Sequence, residues 1–312
     1  MAGVILVAGE ALIDLVPTSE TIDALAVHPG GGPFNAARTI ARLERPVAYL
    51  GRLSRDRFGQ RLEALLAEDG VRLDAIVHTD EPTTLALADV DELGVARYRF
   101  YTEGTAAAGL TSEEALAARP DEVQVVHAGT LGLVLEPTAS ALEAVIARLS
   151  GHAMVFVDPN VRPDIIPDAG AYRERLARVL SRSHVLKVSE EDLDWLAPGR
   201  RSVDAVRELL TGGPSVGLLT RGPSGALVIT IDAEVAVPSP RTNVVDTIGA
   251  GDAFGGGFVA WWHARGLGRD DLSDLDTVAA ATEFACLIAA RTCERPGASP
   301  PHLSELEAGV LD

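Results

Sequence analysis

The chain reads as an α/β fold built on a mainly parallel sheet with helices on both faces. Three observations predict it. Short apolar, β-rich runs recur at 4–9, 47–51, 123–129, 153–159, 184–189 and 216–222. Ala/Leu/Arg/Glu segments with helical spacing lie among them at 57–69, 137–150, 170–181 and 201–211. Strands that are almost continuously apolar are buried on both faces, the pattern of a parallel sheet sandwiched between helices. Right-handed crossovers then line the strand carboxyl ends along one edge, where such sheets bind ligands. At 312 residues and 47% hydrophobic composition the chain can bury a sizeable core. That length suits one sizeable α/β unit with a smaller appendage, or two domains, and no repeat or low-complexity linker divides it.

From the N-terminus, an apolar strand at 4–10 opens the chain and runs into GEALIDLVP. Residues 11–28 break the α/β rhythm and read as irregular. HPGGGPFNAA follows at 28–37. Three consecutive glycines, Gly30, Gly31 and Gly32, carry a high entropic cost, which is repaid where backbone must approach a ligand closely. Pro33 suits the first turn of a helix, and Asn35 offers a donor and an acceptor to a hydroxylated ligand. The plainer alternative is a flexible loop ending at a Pro-started helix. Residues 84–101 alternate and pivot on a Gly-containing turn, which reads as a hairpin.

The most informative stretch is NVVDTIGAGDAFGGGF at 243–258. NVVDT is short and β-branched and reads as a strand or strand end. Gly249, Ala250 and Gly251 then form a turn whose N–H groups can point one way, at the start of an apolar, small-residue helix. The turn and the helix dipole make an anion hole. Asp252 stands beside it, and a carboxylate next to a bound anion needs a chemical task. Taking a proton from a hydroxyl that attacks a phosphoryl group is that task. An acidic first helical turn without function is the bland alternative.

Composition narrows the classes. The net charge of −18 argues against sequence-independent nucleic-acid binding, which needs Lys and Arg to neutralise phosphates. No apolar run approaches the ~20 residues that span a bilayer. The chain opens on strand-like sequence without a basic region or cleavage site, so a cytoplasmic protein is expected. The two cysteines, Cys286 and Cys293, lie seven residues apart in an Ala-rich helical run. That is about 10.5 Å of rise, too far for a disulfide, so both are read as reduced core thiols. Lys187 is the only lysine beside 26 arginines. A GxxxxGK[ST] loop is absent, so no P-loop lysine carries phosphate chemistry. Lys187 either reaches a nucleotide phosphate or sits on the surface at a strand end.

DTIGAGDAFGGGF resembles the C-terminal signature of the ribokinase-like (PfkB) family of carbohydrate and nucleoside kinases, and the triple glycine with Asn35 resembles its N-terminal GGxxxN signature. The resemblance covers the whole chain. It implies a three-layer α/β/α core with a small β-sheet lid, formed by 11–28 and 84–101, over a sugar pocket. Asp252 is then the base, with Gly249, Ala250 and Gly251 holding the transferring phosphate. Asp14, Gly31, Gly32 and Asn35 hold the sugar. Asn160 and Arg162, in FVDPNVRP, match the family's DxN-x-R segment, and Phe100 belongs to the lid with Tyr98 and Tyr101. Thr220, Gly222 and Gly225 match the TxGxxG turn that contacts ATP. Lys187 and Glu190 occupy the N-x-x-E motif, whose acid positions Mg²⁺ through water. Asp246 and the 295–301 loop match in part a site for a monovalent cation such as K⁺, with Pro301 where Ser is common. Cys286 replaces an Asn common near the adenine. In many relatives the lid also forms a dimer interface.

Within the family, GEALIDLVP, GGGPFN, GRLSRDRFG, YRFYTEGTA, DPNVRP, LKVSEE and RPGA are fructokinase-like. The expected reaction is therefore transfer of the ATP γ-phosphate to a primary hydroxyl of a ketose. 2-Keto-3-deoxygluconate kinases share most of these pieces and are the nearest alternative. A dinucleotide oxidoreductase fits poorly, because the Gly-rich turn is followed by helices and no acidic strand residue comes after it. A non-catalytic sugar sensor remains the alternative of another class, though a sensor has no use for Asp252.

Overall fold

The computed structural model describes residues 3–18, 23–90 and 96–311. In chain order the strands are β1 (Val4–Ala8), β2 (Leu12–Pro17), β3 (Leu25–Gly30), β4 (Val47–Ser54), β5 (Ile76–Thr79), β6 (Leu85–Val90), β7 (Ala96–Tyr101), β8 (Val123–Gly129), β9 (Met154–Asp158), β10 (Val185–Ser189), β11 (Val216–Thr220), β12 (Ala226–Ile229) and β13 (Glu234–Val237). The helices are α1 (Gly32–Arg42), α2 (Arg57–Glu68), α3 (Ser112–Ala118), α4 (Thr138–Leu149), α5 (Ala169–Leu180), α6 (Glu190–Leu196), α7 (Ser202–Leu210), α8 (Ala250–Ala264) and α9 (Leu275–Cys293). A nine-stranded sheet runs β13-β12-β11-β10-β9-β8-β1-β4-β5. Its strands are parallel from β11 to β5, and β12 and β13 add an antiparallel edge.

The side-chain alternation of β1 shows the layers. Ile5 and Val7 pack into a core with residues of α1, α2, α8 and α9, while Val4, Leu6 and Ala8 face α3, α4, α5 and α7. The three-layer α/β/α core with a mainly parallel sheet is as expected. Among the described residues no helix is long and apolar enough to cross a membrane.

Two local expectations are corrected. The described parts of 11–28 are not irregular: β2 and β3 pair antiparallel there, and β2 also pairs in parallel with β6, about 70 residues away, which no local pattern reports. With β7 they make a separate four-stranded sheet, β3-β2-β6-β7. Residues 19–22 and the hairpin turn at 91–95 lie outside the described residues. NVVDT is not a strand. Beyond β13 the prolines Pro238 and Pro240 take the chain off the sheet, and Val244 and Val245 are 58% and 62% exposed. The segment is held instead by the Val245 N–H on the Cys293 carbonyl, at 2.8 Å. A β-branched run forms a strand only where an edge is free to pair.

Three interior glycines of α8 position the site. A Cβ at Gly255 would lie 2.9 Å from the His127 ring, one at Gly256 2.8 Å from Thr39 Cβ, and one at Gly257 3.1 Å from Ile288 Cβ. Each glycine costs helix propensity of about 1 kcal/mol, and the return is close approach of β8, α1 and α9. The docking of α1 on α8 brings the two sequence motifs face to face.

Candidate active site

Two cavities open along the carboxyl edge of the sheet. One, of about 600 Å³, is lined by Asp14, Gly31, Gly32, Asn35, Tyr98, Phe100, Asn160, Arg162, Lys187 and Asp252, among others. The other, of about 730 Å³, is lined by Gly222, Gly225, Ala250, Phe254, Cys286 and Cys293 among others. Thr220, Thr247 and Gly251 belong to both, so the cavities meet at the GAGD turn.

Gly249 caps α8 with φ 75°, a left-handed conformation that favours glycine, and Asp252 lies in the first helical turn. The Ala250 N–H is committed to the Thr247 carbonyl at 3.2 Å. This leaves the N–H groups of Gly251 and Asp252, which have no intrahelical partner in a first turn, as the better donors to an anion. Asn35 Nδ2 donates to Asp252 Oδ2 at 2.8 Å. Burial raises the Asp252 carboxyl above its usual range, against the pull of the Asn35 hydrogen bond and the Lys187 and Arg162 charges. Asn35 Oδ1 has no hydrogen-bond partner among the described residues and is left to accept from a ligand.

The triple glycine is shaped by protein as well as by ligand. A Cβ at Gly30 would lie 2.1 Å from Asp14 Oδ2, one at Gly31 2.6 Å from the Glu10 carbonyl, and one at Gly32 2.6 Å from Thr130 Cγ2 and 3.2 Å from Asp252 Oδ1. Asp14 is pushed up to about 6, first by burial and then by the Asp252 charge, with Arg162 opposing. Asn160 adopts φ 38° and turns the chain so that Arg162 follows at the mouth. The Arg162 Nη1 donates to the carbonyls of Asn160 and Val161, at 3.2 and 3.1 Å. Leu12, Ala86 and Leu131 form a small apolar cluster with Tyr98 and Phe100, so the four-stranded sheet closes one side of this cavity. Tyr101 points away and is 50% exposed.

Comparisons with known proteins agree with this geometry. The model of the pfkB family carbohydrate kinase matches residues 4–305. The chain belongs to the PfkB family of carbohydrate kinases. It is 34% identical over 258 residues to a fructokinase of Rhizobium leguminosarum bv. trifolii, covering 82% of this chain and 78% of that one. The fructokinase of Xylella fastidiosa with bound ATP superposes with a TM-score of 0.89 at 31% identity, covering 98% and 97% of the two chains. A double mutant of the fructokinase of Vibrio cholerae O395, with fructose, ADP and a potassium ion bound, gives 0.83 at 25% identity, covering 95% and 94%.

In this carbohydrate kinase Lys187 is not a surface residue. It is buried on β10, donates to Asp158 Oδ2 at 2.7 Å and places Nζ 3.1 Å from where a Gly251 Cβ would stand. Burial lowers its pKa, but the charges of Asp158, Asp192 and Asp252 outweigh it and hold the ammonium charged. Thr220 ends β11 at the junction of the cavities, and a Gly225 Cβ would lie 2.1 Å from the Val237 carbonyl, which forces a side-chain-free turn. Glu190 is exposed as the first residue of α6 and lines neither cavity; its neighbour Glu191 does. Asp246 accepts the N–H groups of Ile248 at 3.0 Å and Gly297 at 2.8 Å, tying the GAGD approach to the 295–301 loop. Cys293 is not a core thiol, since it lines the larger cavity half-buried, while Cys286 is buried beside it. His127 is stacked on Phe156, with its pKa lowered to about 3 by burial and the Lys187 charge, and lines neither cavity.

Sequence reasoning passed over Glu10. It is 2% exposed, lines the smaller cavity and is raised to about 7, chiefly by burial. A glutamate directly after an apolar strand was its only signal.

Proposed function

We propose that this kinase transfers the γ-phosphate of ATP to the primary hydroxyl of fructose. One observation carries the reading: a polar cavity and a larger, more apolar one meet at Gly251, with the Asp252 carboxylate on the polar side. The fructose and ADP bound to the Vibrio relative, and the ATP bound to the Xylella one, support the assignment of the two cavities.

The sugar lies in the smaller cavity against Gly31 and Gly32, with Asp14 and Asn35 Oδ1 accepting its hydroxyls and Asn160, Arg162 and Phe100 closing round it. Asp252 takes the proton of the attacking hydroxyl. ATP lies along Thr220, Gly222 and Gly225, its γ-phosphate on the Gly249–Ala250–Gly251 turn, where the N–H groups of Gly251 and Asp252 and the Lys187 ammonium face it. Charge building on the phosphoryl oxygens meets fixed donors there, and positioning does most of the work. Bound Mg²⁺ neutralises the phosphates. Such an ion takes only one or two carboxylates beside phosphate and water, and Glu190 with its neighbour Glu191 at the start of α6 fits that need. Asp246 and the 295–301 loop would hold a potassium ion, which would add positive charge beside the anion hole. Residues 1–312 act as one kinase unit in the cytoplasm. The lid is formed by 11–28 and 84–101, and its half-exposed Val27 and Tyr101 become buried in a homodimer.

ADP release with Mg²⁺-ATP across a panel of sugars tests the assignment. Fructose is expected to give the highest kcat/KM; turnover with 2-keto-3-deoxygluconate alone would replace the substrate and keep the mechanism. Asp14 gives a second test. As pH falls through about 6, Asp14 takes a proton, loses its negative charge and turns one of its acceptor oxygens into a donor, which weakens its hold on the sugar hydroxyls. The fructose KM should rise over that range while the Mg²⁺-ATP KM holds, and Asp14→Ala should raise the fructose KM at least about tenfold. A fructose KM indifferent to both removes Asp14 from the sugar pocket.

A further inference from the structure

Glu10 has no role in the mechanism above, yet its carboxylate accepts hydrogen bonds from three neutral partners among the described residues. Oε1 accepts the Gly32 N–H at 3.2 Å and the Thr130 hydroxyl, and Oε2 accepts the Gly132 N–H at 3.0 Å. Gly32 begins α1, and Thr130 and Gly132 belong to the 3-10 turn Thr130–Leu133 after β8. Thr130 holds φ 53°, a left-handed conformation costly for a β-branched residue. Its methyl group occupies the space left by the missing Gly32 side chain, and Asp252 Oδ1 borders the same space. Three residues along α1, Asn35 holds the Asp252 carboxylate. Glu10, Thr130, Gly32, Asn35 and Asp252 are thus one contiguous stack reaching from the end of β1 to the base.

We propose that Glu10 is a positioning residue for phosphoryl transfer: it locks the first turn of α1 to the turn after β8 and so holds the Asn35 amide on Asp252. The inference rests on Asp252 being the base. Glu10→Gln keeps the volume but carries a single carbonyl oxygen. One of the two backbone donors, on Gly32 or Gly132, must then face an NH₂ group, and the lock is mis-set. The kinetic cost follows from the geometry, since displacing a reacting group by ~1 Å costs about 10²-fold.

The test measures kcat, both KM values and Tm for Glu10→Gln, Thr130→Val, Thr130→Ser and the Glu10→Gln/Thr130→Val pair, with Asp252→Asn alongside. Glu10→Gln is expected to lower kcat about 10- to 100-fold while leaving the Mg²⁺-ATP KM unchanged, because Glu10 does not border the nucleotide cavity. Thr130→Val should act in the same direction, the double variant should be no worse than the worse single one, and Thr130→Ser should recover most of the loss. If Glu10→Gln does not fold, the Val and Ser variants of Thr130 decide. Near-native kcat in Glu10→Gln, or a fall matched by an equal rise in the Mg²⁺-ATP KM, overturns the proposal. Failure of the base itself would show separately, as turnover retained by Asp252→Asn.

Discussion

Asp252→Asn is expected to lower kcat by about 10²–10⁴, the share of a positioned general base, and to leave the fold intact. The asparagine can turn its carbonyl oxygen to the Asn35 amide, so the 2.8 Å hydrogen bond survives. Stability should not fall. Burial raises the Asp252 pKa in the folded protein, so folding favours the protonated acid and the ionised carboxylate is a burden at neutral pH. That burden is absent at low pH and grows as pH rises through the folded pKa. A neutral amide removes it, and Tm at neutral pH should be equal or higher. Turnover near the native value in a soluble Asp252→Asn protein would refute the base assignment.

Lys187→Met carries the second large effect, and it acts on both stability and activity. Lys187 and Asp158 are a buried pair at 2.7 Å. Removing one partner of such a pair typically costs about 3–5 kcal/mol, because the other charge stays buried and uncompensated. Asp158 is already raised to about 6, first by burial, with Lys187 holding it down. Without the ammonium it rises further, so the loss should be largest above neutral pH and shrink as pH falls and Asp158 takes a proton. Adding Asp158→Asn should recover most of the stability. It should not recover kcat, because the positive charge beside Gly251 is still missing. Urea melts of the single and double variants at two pH values, with kcat for each, separate the two roles. A Lys187→Met protein with native kcat would mean that the ammonium serves only the fold.

Much of this molecule is legible locally. The strand runs at 4–9, 123–129 and 184–189 and the helices at 57–69 and 170–181 follow from periodicities within a dozen residues. The GAGD turn announces itself because φ 75° at a helix cap favours glycine, and a Cβ at Gly249 would lie 2.5 Å from Ala298 Cβ. Other parts were invisible for a common reason. The β2–β6 pairing, the burial of Lys187 and the missing strand at NVVDT each depend on which distant edge or charge lies alongside. The triple glycine was assigned to ligand approach, and it also makes room for Asp14, Glu10, Thr130 and Asp252.

The amino-acid sequence by itself determined the alternating strands and helices of the parallel core and the two motifs that carry the chemistry, since both are written in short-range spacing and turn residues. Only the tertiary structure decided that Asn35 holds Asp252, that Lys187 faces the anion hole and that Glu10 joins α1 to β8. Those contacts span up to 217 residues of chain. They arise from the close packing of α1 and β8 against the glycines of α8, which complementary surfaces set and local propensity does not.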